Sequence, residues 1–203
     1  MSESLISHDV SKQIKINSLC RAKWLELNEI VYYDHQGRVR TWESVSRTTK
    51  VSEVDSSDII ATVNKDGKKY IILTLQFRPP VNNFVLEFPA GLIDPNESIE
   101  NASLRELKEE TGYQADQVLL TSPPLPLESG AADCTSKIVI VNITEDKKEK
   151  QELEDTESIE VVLLPFDNLF DHLEDERKKR NCLVNIQLYS FALGLSFRDK
   201  FYK

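Results

Sequence analysis

The chain has 203 residues, 40% hydrophobic and 29% charged, and its 25 Lys and Arg against 34 Asp and Glu give a formal net charge of −9. That length can bury one substantial core with a small accessory region, whereas the acidic balance argues against a nucleic-acid binder or an anionic-membrane binder, which need a basic footprint. Its three cysteines, Cys20, Cys134 and Cys182, are odd in number and irregularly spaced, so they suggest neither a disulfide framework nor a zinc site.

In chain order, Met1 to Lys15 carries charges and lacks an apolar core of signal-peptide length, and no later run approaches the roughly 20 apolar residues of a membrane span. A cytoplasmic protein, or one also found in the nucleus, is expected. Trp24 to Tyr33 and Arg38 to Thr48 read as strands around the turn Asp34-His-Gln-Gly37. This pair is expected to form its own small antiparallel sheet, so residues 1–52 are assigned to an N-terminal β region and 53–203 to a second domain. Ile59 to Val63 and Tyr70 to Gln76 flank a second hairpin signal, Asn64-Lys-Asp-Gly67. Val118 to Leu120, Lys137 to Ile143 and Ile159 to Leu164 are further short strands. Asn168 to Arg180 and Asn185 to Phe197 carry apolar residues at helical spacing. Lysines and acids crowd together in Thr144 to Ser158, which reads as a mobile loop. Strands between helices predict an α/β (α+β) fold with a mixed sheet.

Between the second hairpin and these late elements lies the most informative segment. On a helix, Glu106, Glu109 and Glu110 fall within an arc of about 100°, with Leu104 and Leu107 on a neighbouring face. Like charges at these spacings repel by a few tenths of a kcal/mol per pair, roughly. Three carboxylates on one face therefore cost stability unless a cation offsets them, and hard oxygen ligands suit Mg²⁺ or Mn²⁺. Arg105, one residue off that face, can hold a carboxylate in position. Asp94 is a candidate N-cap with Pro95 at the first helical position, Ser98 is a second candidate start, and Gly112 suits the left-handed C-terminal position.

Trp24 and Trp42 alternate with polar residues, Glu26 and Asn28 for the first and Arg40 and Ser44 for the second. A large aromatic ring on the polar face of a strand needs cover, either from a second subunit or from a stacked base, where the ring gives roughly 1–3 kcal/mol. Arg47 and Arg78 are candidate anion contacts, and Pro79-Pro80 stiffens the chain after Arg78.

Gly91, Glu97, Arg105, Glu106, Glu109, Glu110 and Gly112 match the signature of the Nudix hydrolases at each defining position, with Tyr113 where an aliphatic residue is more usual. Arg40-Thr-Trp-Glu-Ser-Val45 with Arg47-Thr-Thr49, and Gln76-Phe-Arg-Pro-Pro80 with Glu87-Phe-Pro-Ala-Gly91, resemble the ADP-sugar (ADP-ribose) pyrophosphatase branch. The resemblance runs from about Lys23 to Pro165 and implies a Nudix-type α/β/α sandwich. It also implies Mg²⁺-dependent hydrolysis of ADP-ribose and related ADP-sugars, a small-molecule nucleotide-sugar as substrate, and a homodimer that clamps adenine between Trp24 and Trp42 of different subunits. By the same resemblance the metal ligands are Glu106 and Glu110, completed by Glu109 and the Ala90 carbonyl, with Glu97 in or just outside the coordination shell. Glu43 resembles a nucleotide contact, and Gly130 and Asp133 lie in a segment that aligns with a substrate-lining loop, although its residues depart from the family's usual ones. Glu157 is the expected base for the attacking water, with Glu152 and Glu154 as competitors. Two alternatives stay open from the sequence: a Nudix enzyme that prefers oxidised nucleoside diphosphates such as 8-oxo-dGDP, and an ADP-ribose sensor that does not cleave its ligand.

Overall fold

The structure, a computed structural model, describes residues 11–144 and 148–201, with side chains described as far as 197. The first ten residues and residues 145–147, within the stretches read above as leaderless and as a charged loop, lie outside the described residues. The chain divides into two compact units, Met1–Asp55 with Pro124–Ser136, and Ser56–Pro123 with Lys137–Lys203. A division at 52/53 does not anticipate that 124–136 joins the first unit. It does so by an isolated parallel bridge to Val45, whose amide donates to Ala131 O at 2.8 Å and whose carbonyl accepts the Asp133 amide at 3.3 Å.

The first unit is an antiparallel sheet in the order β1 (Lys12–Arg21), β2 (Leu25–Tyr33), β3 (Val39–Arg47). Asp34 closes the β2–β3 hairpin. Its Oδ1 accepts the amides of Gln36 and Arg38, and its Oδ2 accepts Arg38 Nε and Arg40 Nε. These donors, the Arg38 amide first, hold its carboxyl well below the usual carboxylate range. β1 is an element that the sequence pattern does not reveal, because register shifts between Gln13 and Lys15 and between Ser18 and Cys20 break the period-2 alternation. Trp24 precedes β2 rather than opening it.

The second unit carries the core. Its sheet runs β12 (Leu183–Val184), β6 (Asn83–Glu87), β5 (Lys68–Arg78), β4 (Ser56–Lys65), β10 (Thr135–Ile143), β8 (Gln117–Thr121), with β11 (Ile159–Pro165) on β5 and β7 (Ala90–Leu92) on β4. β12 pairs with β6 in parallel while β5 pairs antiparallel with β4, β6 and β11, so the sheet is mixed as expected. Successive residues point to opposite faces, and both faces are covered. Ile71, Leu73 and Leu75 of β5, with Val162 and Leu164 of β11, face Leu169 and Leu173 of α2 (Leu169–Arg180) and Leu188 and Ala192 of α3 (Ile186–Phe201). Ile72 of β5, with Ile59, Ala61 and Val63 of β4, faces Leu107 of α1 (Ile99–Thr111). Helices on both faces of one sheet make the unit an α/β/α sandwich. Among the described residues no helix is long and apolar enough to cross a membrane.

Helix α1 starts at the second of its two candidate caps. Ser98 Oγ accepts the Asn101 amide at 3.2 Å, and residues 94–97 form a turn instead, with the Glu97 amide on Asp94 O at 3.1 Å and Asn96 at φ 67°. A left-handed Asn96 cannot continue a helix, so Asp94 and Pro95 are left outside it. Gly112 ends the helix at φ 77°, its amide donating to Lys108 O at 2.8 Å.

Gly112 and Gly67 share a positive φ and differ in their surroundings. A Cβ on Gly112 would meet Glu149 O at 2.2 Å, whereas one on Gly67 has nothing within 4 Å. Gly67→Ala should cost the left-handed strain alone, about 1 kcal/mol, and Gly112→Ala clearly more because backbone must move. Urea denaturation of both variants measures the difference, and equal costs would contradict the contact between Gly112 and the segment carrying Glu149.

Candidate active site

The site in the second unit is organised by one guanidinium. Arg105 Nε and Nη2 grip the two oxygens of Glu97 at 3.1 and 2.9 Å, Nη1 donates to Glu106 Oε1 at 2.9 Å and Glu109 Oε2 at 3.0 Å, and Nη2 also reaches Leu92 O at 3.1 Å. The planar fork suits this fixed array in a way an ammonium would not. Three carboxylates around Arg105 raise its already high pKa further, Glu97 first, and the Glu97 carboxyl titrates below its ordinary value chiefly through the Arg105 hydrogen bonds. The helix and the 94–97 turn bring Glu97, Arg105, Glu106 and Glu109 together as the sequence pattern anticipates.

Glu106 and Glu110 are in a different electrostatic state. Glu110 is 3% exposed, its Oε2 accepts the Ala90 amide at 3.0 Å, and burial pushes its carboxyl up to about 8, helped by the negative charges of Glu106 and Glu157. Burial also raises Glu106, against the pull of Arg105. Gly91 makes room for Glu106. A Cβ there would fall 1.8 Å from Glu106 Cδ, so the carboxylate lies directly on the glycine. Glu157 is anchored by a turn, its amide on Glu154 O at 3.0 Å and its Oε2 accepting the Glu154 amide at 2.9 Å. Its negative charge is among the influences that raise the carboxyls of Glu106 and Glu110.

Among the described residues no group of three or more His, Cys, Asp or Glu is already arranged to hold a metal ion. The chemistry of the donor set nevertheless fits a hard divalent cation. Glu110 is buried against like charge, and the available donors, Glu97, Glu106, Glu109, Glu110 and the Ala90 carbonyl, are all oxygens.

The segment 148–158 is not the loose loop that its charge suggested. Tyr113 and Lys148 form a β-bridge, the Glu149 amide donates to Gly112 O at 2.8 Å and the Glu152 amide to Glu109 O at 2.9 Å. These bonds take up carbonyls that the C-terminus of α1 leaves unsatisfied. Tyr113 is itself 2% exposed in the core under α1, which accounts for an aromatic at that position. Arg78 is held by Glu87 through Nε at 2.8 Å and bears on Glu110, so Glu87, in addition to the prolines that follow, fixes its guanidinium. Nothing local in the sequence marks Glu87 as that partner, because the pairing exists only through the register of β5 with β6.

The remaining expected residues belong to the first unit. Trp24 and Trp42 are 59% and 51% exposed, so neither ring is covered within the chain. Lys23 Nζ lies 4.3 Å from the Trp24 ring centroid, and Trp42 Nε1 donates to Gly130 O at 3.0 Å. A recess of about 430 Å³ is lined by Glu29, Thr41, Trp42 and Glu43. Arg47 bears on Cys134, whose thiol burial pushes up, and Lys50 Nζ reaches Asp133 O at 3.3 Å. Trp42, Glu43 and Gly130 are thus neighbours.

The raised carboxyl of Glu110 gives the metal-free protein a defined pH dependence. Its folded value of about 8 lies above the ordinary 4.5, so between those limits the unfolded chain has released a proton that the folded chain retains. Stability should therefore fall as pH rises from about 4.5 to 8. Thermal midpoints in EDTA across that range should slope downward for the wild type and less for Glu110→Gln. A slope shared equally by both would contradict the burial of this charge.

Residues 55–184 match the NUDIX domain family. The chain is 36% identical over 183 residues to the ADP-sugar pyrophosphatase of Mus musculus, covering 87% of this chain and 84% of that protein. It is 41% identical over 157 residues to the ADP-ribose pyrophosphatase of Saccharomyces cerevisiae, covering 74% and 67% respectively. Its fold is similar to that of a crystal structure of an ADP compounds hydrolase, with a TM-score of 0.66 over the whole of both chains at 21% identity. With its carboxylate helix in place and the family match spanning most of the sandwich unit, the chain belongs to the Nudix family of hydrolases, which act on pyrophosphate bonds.

Proposed function

We propose that the protein hydrolyses the diphosphate of ADP-ribose and related ADP-sugars to AMP and a sugar phosphate, ribose 5-phosphate from ADP-ribose, with water as nucleophile. The observation that carries this reading is the carboxylate group centred on Arg105 and buried Glu110, in a chain similar to an ADP-sugar pyrophosphatase and an ADP-ribose pyrophosphatase. Glu106 and Glu110, with Glu109, Glu97 and the Ala90 carbonyl, would hold Mg²⁺, or Mn²⁺ in its place. Such an ion supplies charge neutralisation at the diphosphate and lowers the pKa of water.

The chain's own residues divide the remaining work. Arg105 holds Glu97, Glu106 and Glu109 in fixed positions, so that the carboxylates need no reorganisation when substrate arrives. Arg78, fixed by Glu87, offers a cation to the diphosphate. Glu157 takes the proton from the attacking water. Its negative charge is among the influences felt by both Glu106 and Glu110, which supports it over Glu152 and Glu154. Trp24 and Trp42 recognise adenine by stacking, with Glu43 and Arg47 as further nucleotide contacts and Gly130 and Asp133 at the substrate-lining loop. The two exposed rings favour a homodimer in which tryptophans of different subunits face one base.

Hydrolysis of a panel containing ADP-ribose, ADP-glucose, diadenosine polyphosphate, NADH and 8-oxo-dGDP, with Mg²⁺ and again with EDTA, tests the reading. AMP released chiefly from ADP-ribose, and only with the metal, is expected. Preferential cleavage of 8-oxo-dGDP would replace the substrate, and tight ADP-ribose binding without cleavage would make the protein a sensor.

A further inference from the structure

The turn that carries Glu157 lies in an acidic segment whose backbone is bonded to the acidic end of α1, so like charge cannot be what holds it there. Lys108 pairs with Glu149 at 3.7 Å and with Glu152 at 3.4 Å, but all three side chains are more than a third exposed, and ion pairs of that kind contribute little. A half-buried neutral group does more. Gln151 Nε2 donates to Glu110 O at 2.5 Å and to Ile159 O at 3.1 Å. Both acceptors are carbonyl oxygens, so only the amino end of the amide can meet them, and its two hydrogens match the two partners. One partner lies in the last turn of α1, where carbonyls lack helical donors; the other is the first residue of β11. The amide therefore closes the base of the loop 152–158, which contains the Glu154–Glu157 turn.

We infer that Gln151 is a positioning residue for the hydrolysis: it ties the end of the carboxylate helix to the start of β11 and so fixes the loop that carries Glu157. This inference rests on the catalytic reading of Glu157 given above. Gln151 touches no reacting atom and acts through the backbone of its loop. Its neighbours in the sequence are lysines and acids, and nothing in that stretch singles it out, since both of its partners are main-chain atoms.

A double-mutant cycle with an independent exchange measurement tests it. Gln151→Leu should lower kcat by about tenfold or more with KM within about twofold, and the same substitution in a Glu157→Gln background should change kcat by less than about twofold, because a residue acting through Glu157 has nothing left to position. In the metal-free protein, hydrogen exchange at the Glu154 and Glu157 amides should accelerate in Gln151→Leu while β5 stays protected. An equal kcat loss in both backgrounds, an unchanged kcat, or unchanged exchange in this loop would each overturn the assignment. If Gln151→Leu fails to fold, Gln151→Asn replaces it in the same cycle, keeping the amide but too short to span both carbonyls. A wild type that does not cleave ADP-ribose would count against the proposed function instead, and the exchange measurement would still decide whether Gln151 anchors the loop.

Discussion

Arg105 holds together a group of carboxylates that would otherwise separate. Glu97, Glu106 and Glu109 all hydrogen-bond its guanidinium, and the same side chain reaches back to the Leu92 carbonyl, joining the end of β7 and the 94–97 turn to the second half of α1. Remove that cation and three negative side chains remain within one helical arc and its preceding turn, a cost of a few tenths of a kcal/mol per exposed pair and more where burial lowers the dielectric. Glu110 accepts the Ala90 amide and is almost fully buried, and burial pushes its carboxyl up to about 8. Together these give a site in which part of the negative charge is satisfied by the protein and part is left for a cation.

The fold provides the rigidity that such a site needs. β4 and β5 bury alternate residues on both faces, so Ile71 to Leu75 is a nearly unbroken apolar run that anchors the sheet to α1 on one side and to α2 and α3 on the other. Leu107, fully buried between Glu106 and Lys108, fixes the rotation of α1 and thereby the direction in which its glutamates point. Gly91 then permits a contact closer than any side chain would allow, placing β7 directly under Glu106. Glu157 arrives from the opposite end of the sequence because β11 lies beside β5 and its preceding loop is bonded to the end of the same helix.

Much of this was legible in the sequence because it is local or periodic. The glutamate spacing, the glycine at the end of α1 and the alternating strands of the second unit each leave a signature within a few residues, and the two late helices fall where their apolar spacing puts them. What could not be read was of another kind. β1 is obscured by its bulges, and β6 and β12 gain their strand character from pairing with distant partners. The start of α1 at Ser98 rather than Asp94 was decided by a left-handed Asn96. The charged stretch after Thr144 looked mobile because its composition is polar, yet backbone amides and Gln151 bind residues 148–158 to helix carbonyls, an interaction with no compositional trace. Trp24 and Trp42 stand apart again: their position on a polar face is legible in the strand alternation, and both rings are exposed within the chain.

The central claim is that the carboxylates on and before α1 are incomplete without a divalent cation. Mn²⁺ binding followed by electron paramagnetic resonance, with thermal midpoints recorded on the same samples of wild type and Glu110→Gln, tests it most directly. The account predicts saturable binding that raises the midpoint of the wild type, weak or no binding to Glu110→Gln, and a metal-free variant at least as stable as the metal-free wild type near neutral pH. Equal Mn²⁺ affinity in the two proteins, or a wild type whose midpoint does not respond to the ion, would contradict it.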